Sequence, residues 1–236
     1  MLPVAILAGG LATRLRPATE CVPKSLLEVN REPFIAHQLR LLRSRGIDRV
    51  VLCVGYLGEM VRQAVGNGQE FGLSVDYSFD GPTLLGTAGA VRQAVPLLGE
   101  GFFVLYGDSY LPCDYAAVEQ AFADSGKPAL MTVFRNDGQW DTSNVEFSGG
   151  RLLAYSKRER TPRMNYIDYG LGVFRAEVLA QLPAGEPRDL ADVYEGLLRR
   201  GELAGCEVKQ RFYEIGSPSG LKETAEFIAA QGVSSQ

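Results

Sequence analysis

A short glycine-rich segment near the N-terminus, residues 7–17 (LAGGLATRLRP), combines residue types that bind phosphate groups. Gly9 and Gly10 allow the backbone to approach an anion closely, and successive N–H groups can form an anion-binding concavity. Thr13 adds a hydroxyl, and Arg14 adds a guanidinium group whose planar donors match phosphate oxygens. The segment therefore indicates a loop that holds a small phosphorylated ligand.

Two familiar phosphate-binding loops do not fit this segment. A P-loop requires GxxxxGK followed by Ser or Thr, and no Gly-Lys pair completes the loop here. A dinucleotide-binding fingerprint requires GxGxxG at the start of a helix, and residues 9–14 (GGLATR) lack it. On its own, the glycine pair is also typical of an ordinary turn between a strand and a helix.

The first half of the chain predicts the parallel sheet that would position this loop. Buried apolar runs alternate with amphipathic helical patterns, as in a parallel sheet with helices on both faces. In such sheets, ligands lie beyond the carboxyl ends of the strands, which is where the glycine pair falls. We predict strands at 3–8, 49–54, 73–78 and 102–106, and helices at 33–45, 58–66 and after Gly86.

The second half predicts a mixed or antiparallel extension of the same sheet. We expect strands at 129–135, 144–147, 151–155 and 166–174, and closing helices at 189–200 and 217–230. The predicted fold class is α/β, with three α/β/α layers around a mainly parallel, Rossmann-like mixed sheet. Because no linker or repeat interrupts the chain, we expect one catalytic domain over 1–236, with a frayed tail at 231–236.

Composition excludes several classes of protein. A net charge of −4 does not give the overall basic surface of a nucleic-acid binder. No apolar stretch reaches the roughly 20 residues of a membrane span, so we expect a cytoplasmic protein that does not contact membranes. The single histidine, His37, is expected to have a structural or solvent-facing role. Without a CxxC pair, the cysteines are expected to be buried reduced thiols: Cys21, Cys53, Cys113 and Cys206.

Four ordered motifs resemble those of the sugar-1-phosphate nucleotidylyltransferases. They are the 7–17 segment followed by Pro23-Lys24-Ser25, then LGTAGA at 85–90, Gly107-Asp108, and FYEIGSP at 212–218. The resemblance covers about residues 3–228. It implies a fold of the nucleotide-diphospho-sugar transferase type. Among short members of this kind, the chain resembles heptose-1-phosphate guanylyltransferases and N-acetylmuramate-1-phosphate uridylyltransferases.

The resemblance implies a reaction between a nucleoside triphosphate and a sugar 1-phosphate, assisted by Mg²⁺. The sugar phosphate attacks the α-phosphorus in line, which gives a nucleotide sugar and pyrophosphate. Since the attacking oxygen is already anionic at neutral pH, no general base is required, which agrees with a single histidine. Without a C-terminal β-helix domain the enzyme would have one activity, and a homo-oligomer is possible.

The resemblance also implies a role for individual residues. Arg14 and Lys24 would be catalytic, and Asp108 and Glu214 would bind the metal. Glu214 replaces the aspartate that is common in the family. Nucleotide binding is implied for Leu7, Ala8, Gly9, Gly10, Thr13, Arg14, Gly86, Thr87, Ala88 and Gly89. Sugar-phosphate binding is implied for Lys24, Asn144, Lys157 and Asp168.

Departures around the sugar residues favour a sugar other than plain glucose. Ser156 stands before Lys157 where the family has a glutamate, and Asp168-Tyr169-Gly170 replaces Asn-Ala-Gly. A heptose phosphate or an N-acetylmuramate-type phosphate would fit these changes. The base stays open, because the 85–90 turn does not distinguish G, U, C or T.

Three alternative functions remain. A nucleotide-sugar-dependent glycosyltransferase would need a DxD motif, and the sequence after Asp108 is Ser109-Tyr110. A cytidylyltransferase of a non-sugar phosphate, or a molybdopterin nucleotidylating enzyme, has different residues after its glycines. A regulatory homologue without activity would not need Arg14, Lys24 and Asp108 together.

Overall fold

The structure, a computed structural model, describes residues 1–10, 15 and 19–233, with the side chains of 232 and 233 left aside. Thr13 and Arg14 therefore lie outside the described residues. The strands are β1 (Val4–Leu7), β2 (Glu28–Val29), β3 (Glu32–Pro33), β4 (Arg49–Val54), β5 (Ser74–Phe79), β6 (Gly101–Tyr106), β7 (Ser109–Tyr110), β8 (Ala129–Arg135), β9 (Val145–Ser148), β10 (Arg151–Tyr155), β11 (Tyr166–Arg175), β12 (Leu203–Val208) and β13 (Tyr213–Glu214). The helices are α1 (Phe34–Ser44), α2 (Gly58–Val65), α3 (Gly86–Leu98), α4 (Tyr115–Ser125), α5 (Ala176–Ala180), α6 (Leu190–Arg199) and α7 (Pro218–Val233).

Nine of these strands form one mixed sheet. Its centre is parallel, in the order β5-β4-β1-β6. β11 pairs antiparallel with β6 and with β8, and β12 extends the sheet parallel to β8. β9 and β10 form an antiparallel pair beside the start of β11. The mainly parallel sheet with an antiparallel extension confirms the predicted fold class.

Side chains of the buried strands alternate between two apolar cores. On β1, Val4 and Ile6 pack into one core, and Ala5 packs into the other. Helices α1, α2 and α4 contribute to the first core, and α3, α5 and α6 contribute to the second. The two cores give the three-layer arrangement, since each sheet face must bury its apolar side chains. Over the described part of the chain, every helix is too short or too polar to cross a membrane.

Several elements of the structure were not predicted from the sequence. β12 contains Gly205 and Glu207, so it lacks the continuous apolar run that marked the other buried strands. α4 and the short α5 were also missed, as were the two-stranded pairs β2–β3 and β7–β13. The pair β7–β13 places Glu214 opposite Ser109, the residue after Asp108.

His37 is placed as expected, whereas two of the four cysteines are less buried than predicted: Cys206 is partly buried and Cys21 is exposed. His37 Nε2 lies 2.8 Å from the Val29 carbonyl oxygen, a contact that fits a structural role. All four cysteines are free thiols, and Cys53 and Cys113 are buried as expected. Cys21 is exposed, however, because it lies in an irregular segment before the first short helical turn and outside both cores.

Candidate active site

A cavity of about 390 Å³ lies at the carboxyl edge of the parallel strands. The chain runs from β1 to β4 and β5 on one side and then returns to β6 on the other, so the strand order reverses between β1 and β6. In open α/β sheets, ligands bind at such a reversal. The predicted site residues in its lining are Leu7, Ala8, Gly9, Gly10, Lys24, Gly86, Thr87 and Asp108.

Two glycines allow the strand ends that line this cavity to lie close together. A Cβ on Gly107, just after β6, would come within 2.6 Å of the Leu7 carbonyl oxygen. A Cβ on Gly9 would lie 2.9 Å from the Gly55 nitrogen. Any larger residue at either position would push the ends of neighbouring strands apart. The glycines therefore bring the ends of β1, β4 and β6 to one place.

Lys24 and Asp108 form an ion pair in the cavity wall. Lys24 Nζ lies 2.5 Å from Asp108 Oδ2, and the two side chains are 15% and 28% exposed. Lys24 opens a short 3-10 turn after Pro23, where Leu26 N–H donates to the Pro23 carbonyl at 2.9 Å. Asp108 directly follows Gly107 at the end of β6. A cation and a carboxylate that are half-shielded from water can both act strongly on a phosphate or on a metal ion.

The β7–β13 pair places Glu214 close to Lys24 and Asp108. Glu214 is paired with Ser109, the residue after Asp108, and Ile215 N–H donates to the Asp108 carbonyl at 2.9 Å. A Cβ on Gly216 would lie 3.6 Å from Lys24 Nζ and 3.8 Å from the Glu214 carboxyl carbon. The structure thus brings Lys24, Asp108 and Glu214 together, although the two acids lie 106 positions apart in the sequence.

The turn at the start of α3 divides into two parts. Gly86 and Thr87 line the cavity, whereas Ala88 and Gly89 are buried behind it. The N–H of Ala88 donates to the Arg188 carbonyl at 2.9 Å, and a Cβ on Gly86 would come within 2.7 Å of the same oxygen. The small residues of this turn therefore accommodate a neighbouring loop as well as any ligand.

Asp168 lies in an irregular part of β11, apart from the Lys24–Asp108 pair. The register with β8 shifts between Asp168 and Gly172. Asp168 Oδ1 accepts the Gly170 N–H at 3.1 Å, and the Asp168 N–H donates to Asn144 Oδ1 at 2.9 Å. Burial raises the pKa of the Asp168 carboxyl, against the opposing effects of the Gly170 N–H and the Lys157 charge. Asn144 and Asp168, both predicted to bind the sugar phosphate, are therefore in direct contact with each other.

Lys157 connects this region with the main cavity. Its Nζ lies 5.7 Å from the ring centroid of Tyr106, which is part of the cavity lining. It also lies 3.8 Å from Asp189 Oδ1. The hydroxyl of Thr87 donates to the same Asp189 oxygen at 3.2 Å. Asp189 thus links the two regions, and the sequence analysis missed it because the residue also acts as the N-cap of α6.

Asp80 is a carboxylate in the cavity lining that was not predicted from the sequence. It follows directly after β5 and lines the cavity together with Leu84 and Gly86. A polar residue immediately after a parallel strand is a recognisable signal. It was overlooked because the predicted strand stopped at residue 78, one residue before β5 ends.

Comparisons with known proteins show the family to which the chain belongs. The chain matches the family described as nucleotidyl transferase over residues 4–231. It is 30% identical to an N-acetylmuramate alpha-1-phosphate uridylyltransferase of Neisseria meningitidis, an alignment that covers 95% of this chain and 97% of that protein. The chain belongs to the nucleotidyl transferase family and is an enzyme of that class.

Other relatives differ in length and in the nucleotide that their names state. A mannose-1-phosphate guanylyltransferase catalytic subunit beta of Xenopus tropicalis is 26% identical over 90% of this chain, but the chain spans only 61% of that protein. A crystal structure of a putative glucose-1-phosphate thymidylyltransferase from Bacillus anthracis superposes with a TM-score of 0.83 at 23% identity, covering 96% of this chain and 95% of that one. This structural likeness shows the shared fold.

Proposed function

We propose that the chain transfers a nucleoside monophosphate from a nucleoside triphosphate to a sugar 1-phosphate and releases pyrophosphate. The observation that carries the proposal is the Lys24–Asp108 pair at the junction of β1 and β6. The Gly9-Gly10 backbone lines the same cavity, and Lys157 Nζ lies 5.7 Å from the ring centroid of Tyr106 in that lining. Residues 4–231 act as one catalytic domain in this proposal.

The chemistry requires alignment of two anions rather than proton removal. A phosphate monoester oxygen is anionic at neutral pH and can attack the α-phosphorus without a base. The enzyme must bring the two substrates together and stabilise the charge of the transition state. Lys24 would contact the phosphates at the point of transfer. Arg14, which lies outside the described residues, is proposed to contact the triphosphate.

Asp108 and Glu214 fit a magnesium ion that is shared with the substrate. Mg²⁺ prefers oxygen ligands and is often held by one or two carboxylates together with phosphates and waters. The residues that the structure describes include no cluster of three or more His, Cys, Asp or Glu side chains able to hold a metal. A site with two carboxylates, Asp108 and Glu214, matches this usual way of binding Mg²⁺. When bound, the ion would neutralise charge on the triphosphate.

The Lys24–Asp108 ion pair suggests how the lysine becomes available. Asp108 Oδ2 cannot bind a metal ion closely and keep Lys24 Nζ at 2.5 Å without strong cation–cation repulsion. We infer that Asp108 would hold the metal ion and that the side chain of Lys24 would then turn toward the substrate phosphate. This step uses only the side chain of Lys24, which has a flexible four-carbon stem.

At the other end of the site, we propose that Lys157, Asn144 and Asp168 hold the sugar 1-phosphate. Lys157 would contact its phosphate, and Asp168 would accept hydrogen bonds from sugar hydroxyls. The raised pKa of Asp168 supports this role, because a buried carboxyl gains from polar donors that a ligand brings. A heptose phosphate or an N-acetylmuramate-type phosphate is the proposed sugar substrate.

A pyrophosphate-release assay tests the proposed function. The protein is incubated with Mg²⁺, each of the common nucleoside triphosphates in turn, and a panel of sugar 1-phosphates. We expect pyrophosphate only when both substrates and the metal are present, and no release after chelation. Pyrophosphate release that needs no sugar phosphate would indicate a hydrolase. No release with any pair would contradict the proposal.

A further inference from the structure

Gln38 on α1 is a buried amide that contacts the turn carrying Asp108. The residue is only 1% exposed. Its Nε2 donates to the Tyr106 carbonyl at 3.1 Å and to the Ser109 carbonyl at 2.6 Å. These two carbonyls belong to the residues on either side of Gly107-Asp108. One amide group therefore bridges the turn from end to end.

The orientation of this amide follows from its surroundings. If its oxygen and nitrogen were exchanged, an acceptor would face two carbonyl oxygens, which are also acceptors. With the nitrogen toward the turn, both of its hydrogens are used. The amide oxygen, Oε1 of Gln38, is buried and has no hydrogen-bond partner among the residues that the structure describes. A buried group without a partner calls for an explanation, and the two hydrogen bonds of the same amide to the turn supply one.

Backbone contacts hold the rest of this turn. The Gly107 N–H donates to the Leu7 carbonyl at 3.0 Å, and the Asp108 carbonyl accepts the Ile215 N–H at 2.9 Å. The backbone around Asp108 is therefore held from β1, from the residue after β13 and from α1. Without the amide of Gln38, two carbonyls would lose their donor and the turn could rotate. Such a rotation would move the Asp108 carboxylate relative to the second acid of the site.

We infer that Gln38 is a positioning residue, which holds the Asp108 carboxylate in the orientation that Mg²⁺ binding requires. Mg²⁺ demands near-ideal geometry of its oxygen ligands, so a small displacement of one carboxylate weakens binding. Loss of a residue that orients a metal ligand typically lowers metal affinity or activity roughly 10- to 100-fold. Gln38 itself lies behind the turn, outside the cavity lining. This inference rests on the proposed function, in which Asp108 binds the ion.

Calorimetric nucleotide binding tests the inference without turnover. The proteins are the wild type, Gln38→Met and Gln38→Asn. Methionine keeps the length of the side chain without its donors, and the asparagine amide is one methylene too short to reach both carbonyls. The nucleotide is whichever of GTP, UTP, dTTP, CTP and ATP the wild type binds most tightly. Its affinity is measured in EDTA and again with saturating Mg²⁺.

The expected change concerns the response to the metal. In EDTA, both Gln38 variants should bind the nucleotide within about threefold of the wild type, but the affinity that Mg²⁺ adds should fall on the order of tenfold. In steady-state pyrophosphate release, the Mg²⁺ concentration for half-maximal activity should rise about tenfold. Saturating Mg²⁺ should bring kcat back to within about threefold of the wild type, because the carboxylate itself is still present.

Thr132→Val is the matched control for the loss of a buried hydrogen bond. Thr132 is fully buried on β8, and its hydroxyl donates to the Leu171 carbonyl at 2.5 Å. β11 separates β8 from β6. Thr132→Val should lose stability in urea, as the Gln38 variants should, but it should keep the wild-type response to Mg²⁺.

Two results would overturn the positioning role of Gln38. One is a wild-type response to Mg²⁺ in the Gln38 variants, and the other is an equal loss of nucleotide affinity in EDTA and in Mg²⁺. Gln38→Asn decides the question if Gln38→Met does not fold.

The same measurements separate this inference from the proposed function. If the Gln38 variants lose the Mg²⁺ response but no sugar phosphate yields pyrophosphate with the wild type, the proposed function is wrong and the positioning role stands. If pyrophosphate forms and the variants respond to Mg²⁺ as the wild type does, the proposed function stands and the positioning role is wrong. Nucleotide binding and pyrophosphate release that are both independent of Mg²⁺ in the wild type would contradict both.

Discussion

The site has a phosphate end, around Gly9, Lys24 and Asp108, and a sugar end, around Lys157 and Asp168. The two ends are built in different ways. At the phosphate end, backbone segments that follow adjacent parallel strands converge, and glycines such as Gly107 let them touch. At the sugar end, side chains from distant segments meet around a register shift in β11. Lys157, Asp168 and Asp189 come from three separate elements there. The phosphate end is thus fixed by the sheet, whereas the sugar end depends on side chains that can change without altering the sheet.

The largest expected effect concerns the phosphate end. Lys24→Ala and Asp108→Asn should each lower kcat/KM on the order of 10²- to 10³-fold, because each removes a charge that acts on the transferred phosphate. Circular dichroism should show an unchanged fold. Steady-state pyrophosphate release measures the effect. Lys222→Ala, which removes an exposed lysine from α7, serves as the control and should retain wild-type activity. Full activity of either site variant would remove that residue from the proposed mechanism.

A smaller and more selective effect is expected at the sugar end. Lys157→Ala should raise the KM for the sugar 1-phosphate about 10- to 100-fold, the value of one hydrogen bond to a charged group. The KM for the nucleotide should change little, since Lys157 faces the Tyr106 ring and Asp189 rather than the glycine pair. Separate titrations of the two substrates distinguish these outcomes. Lys209→Ala is the matched control, and an equal rise in both KM values would argue against separate ends.

Stability should be sensitive to the strand junction at the phosphate end. Gly107→Ala places a Cβ 2.6 Å from the Leu7 carbonyl oxygen and should lower the free energy of unfolding by about 1–3 kcal/mol. Gly101→Ala, at the other end of β6, places its Cβ no closer than 3.4 Å to Leu2 and should change it by less than about 0.5 kcal/mol. Urea unfolding measures both. Equal changes in the free energy of unfolding for Gly107→Ala and Gly101→Ala would mean that the contact between β1 and β6 is not tight.

The smallest expected effect is a pH dependence of the free energy of unfolding, caused by Asp168 at the sugar end. Because burial raises the pKa of Asp168, the folded state holds its proton at pH values where the unfolded chain has lost it. The contribution of Asp168 to stability is therefore complete below its unfolded pKa and is lost as pH rises through its folded pKa. Asp168→Asn lacks this titration but can still accept the Gly170 N–H.

Urea unfolding from pH 4 upward should then show the stability of Asp168→Asn rising relative to the wild type. A constant difference in the free energy of unfolding between the two proteins over this pH range would contradict a raised pKa of Asp168.

The parallel core and the phosphate end could largely be predicted from the sequence. β1, β4 and β6 are continuous apolar runs that end at glycines, so their carboxyl ends and the following residues could be located by pattern. Asp108 was found through the resemblance, in the Gly107-Asp108 motif that follows such a strand. Lys24 and Glu214 were found through the resemblance, and the β7–β13 pair supplies the physical reason why Glu214 lies near Asp108.

The remaining site residues could not be predicted because they depend on which strands and loops become neighbours. In the sequence, Asp189 is recognisable only as a helix cap. The packing of α6 against α3 brings it to Thr87 and Lys157. Ala88 and Gly89 belong to a motif whose spacing cannot separate ligand contact from packing. The structure places both behind the cavity, next to the loop that contains Arg188.

The central claim is that the nucleoside monophosphate itself moves to the sugar phosphate. The most direct test uses nucleoside triphosphate labelled at the α-phosphorus, incubated with sugar 1-phosphate and Mg²⁺ and followed by chromatography. The proposed reaction predicts that the label appears in the nucleotide sugar, while a γ-label appears in pyrophosphate. Recovery of the α-label only as free nucleotide, with the sugar phosphate unchanged, would contradict the proposal.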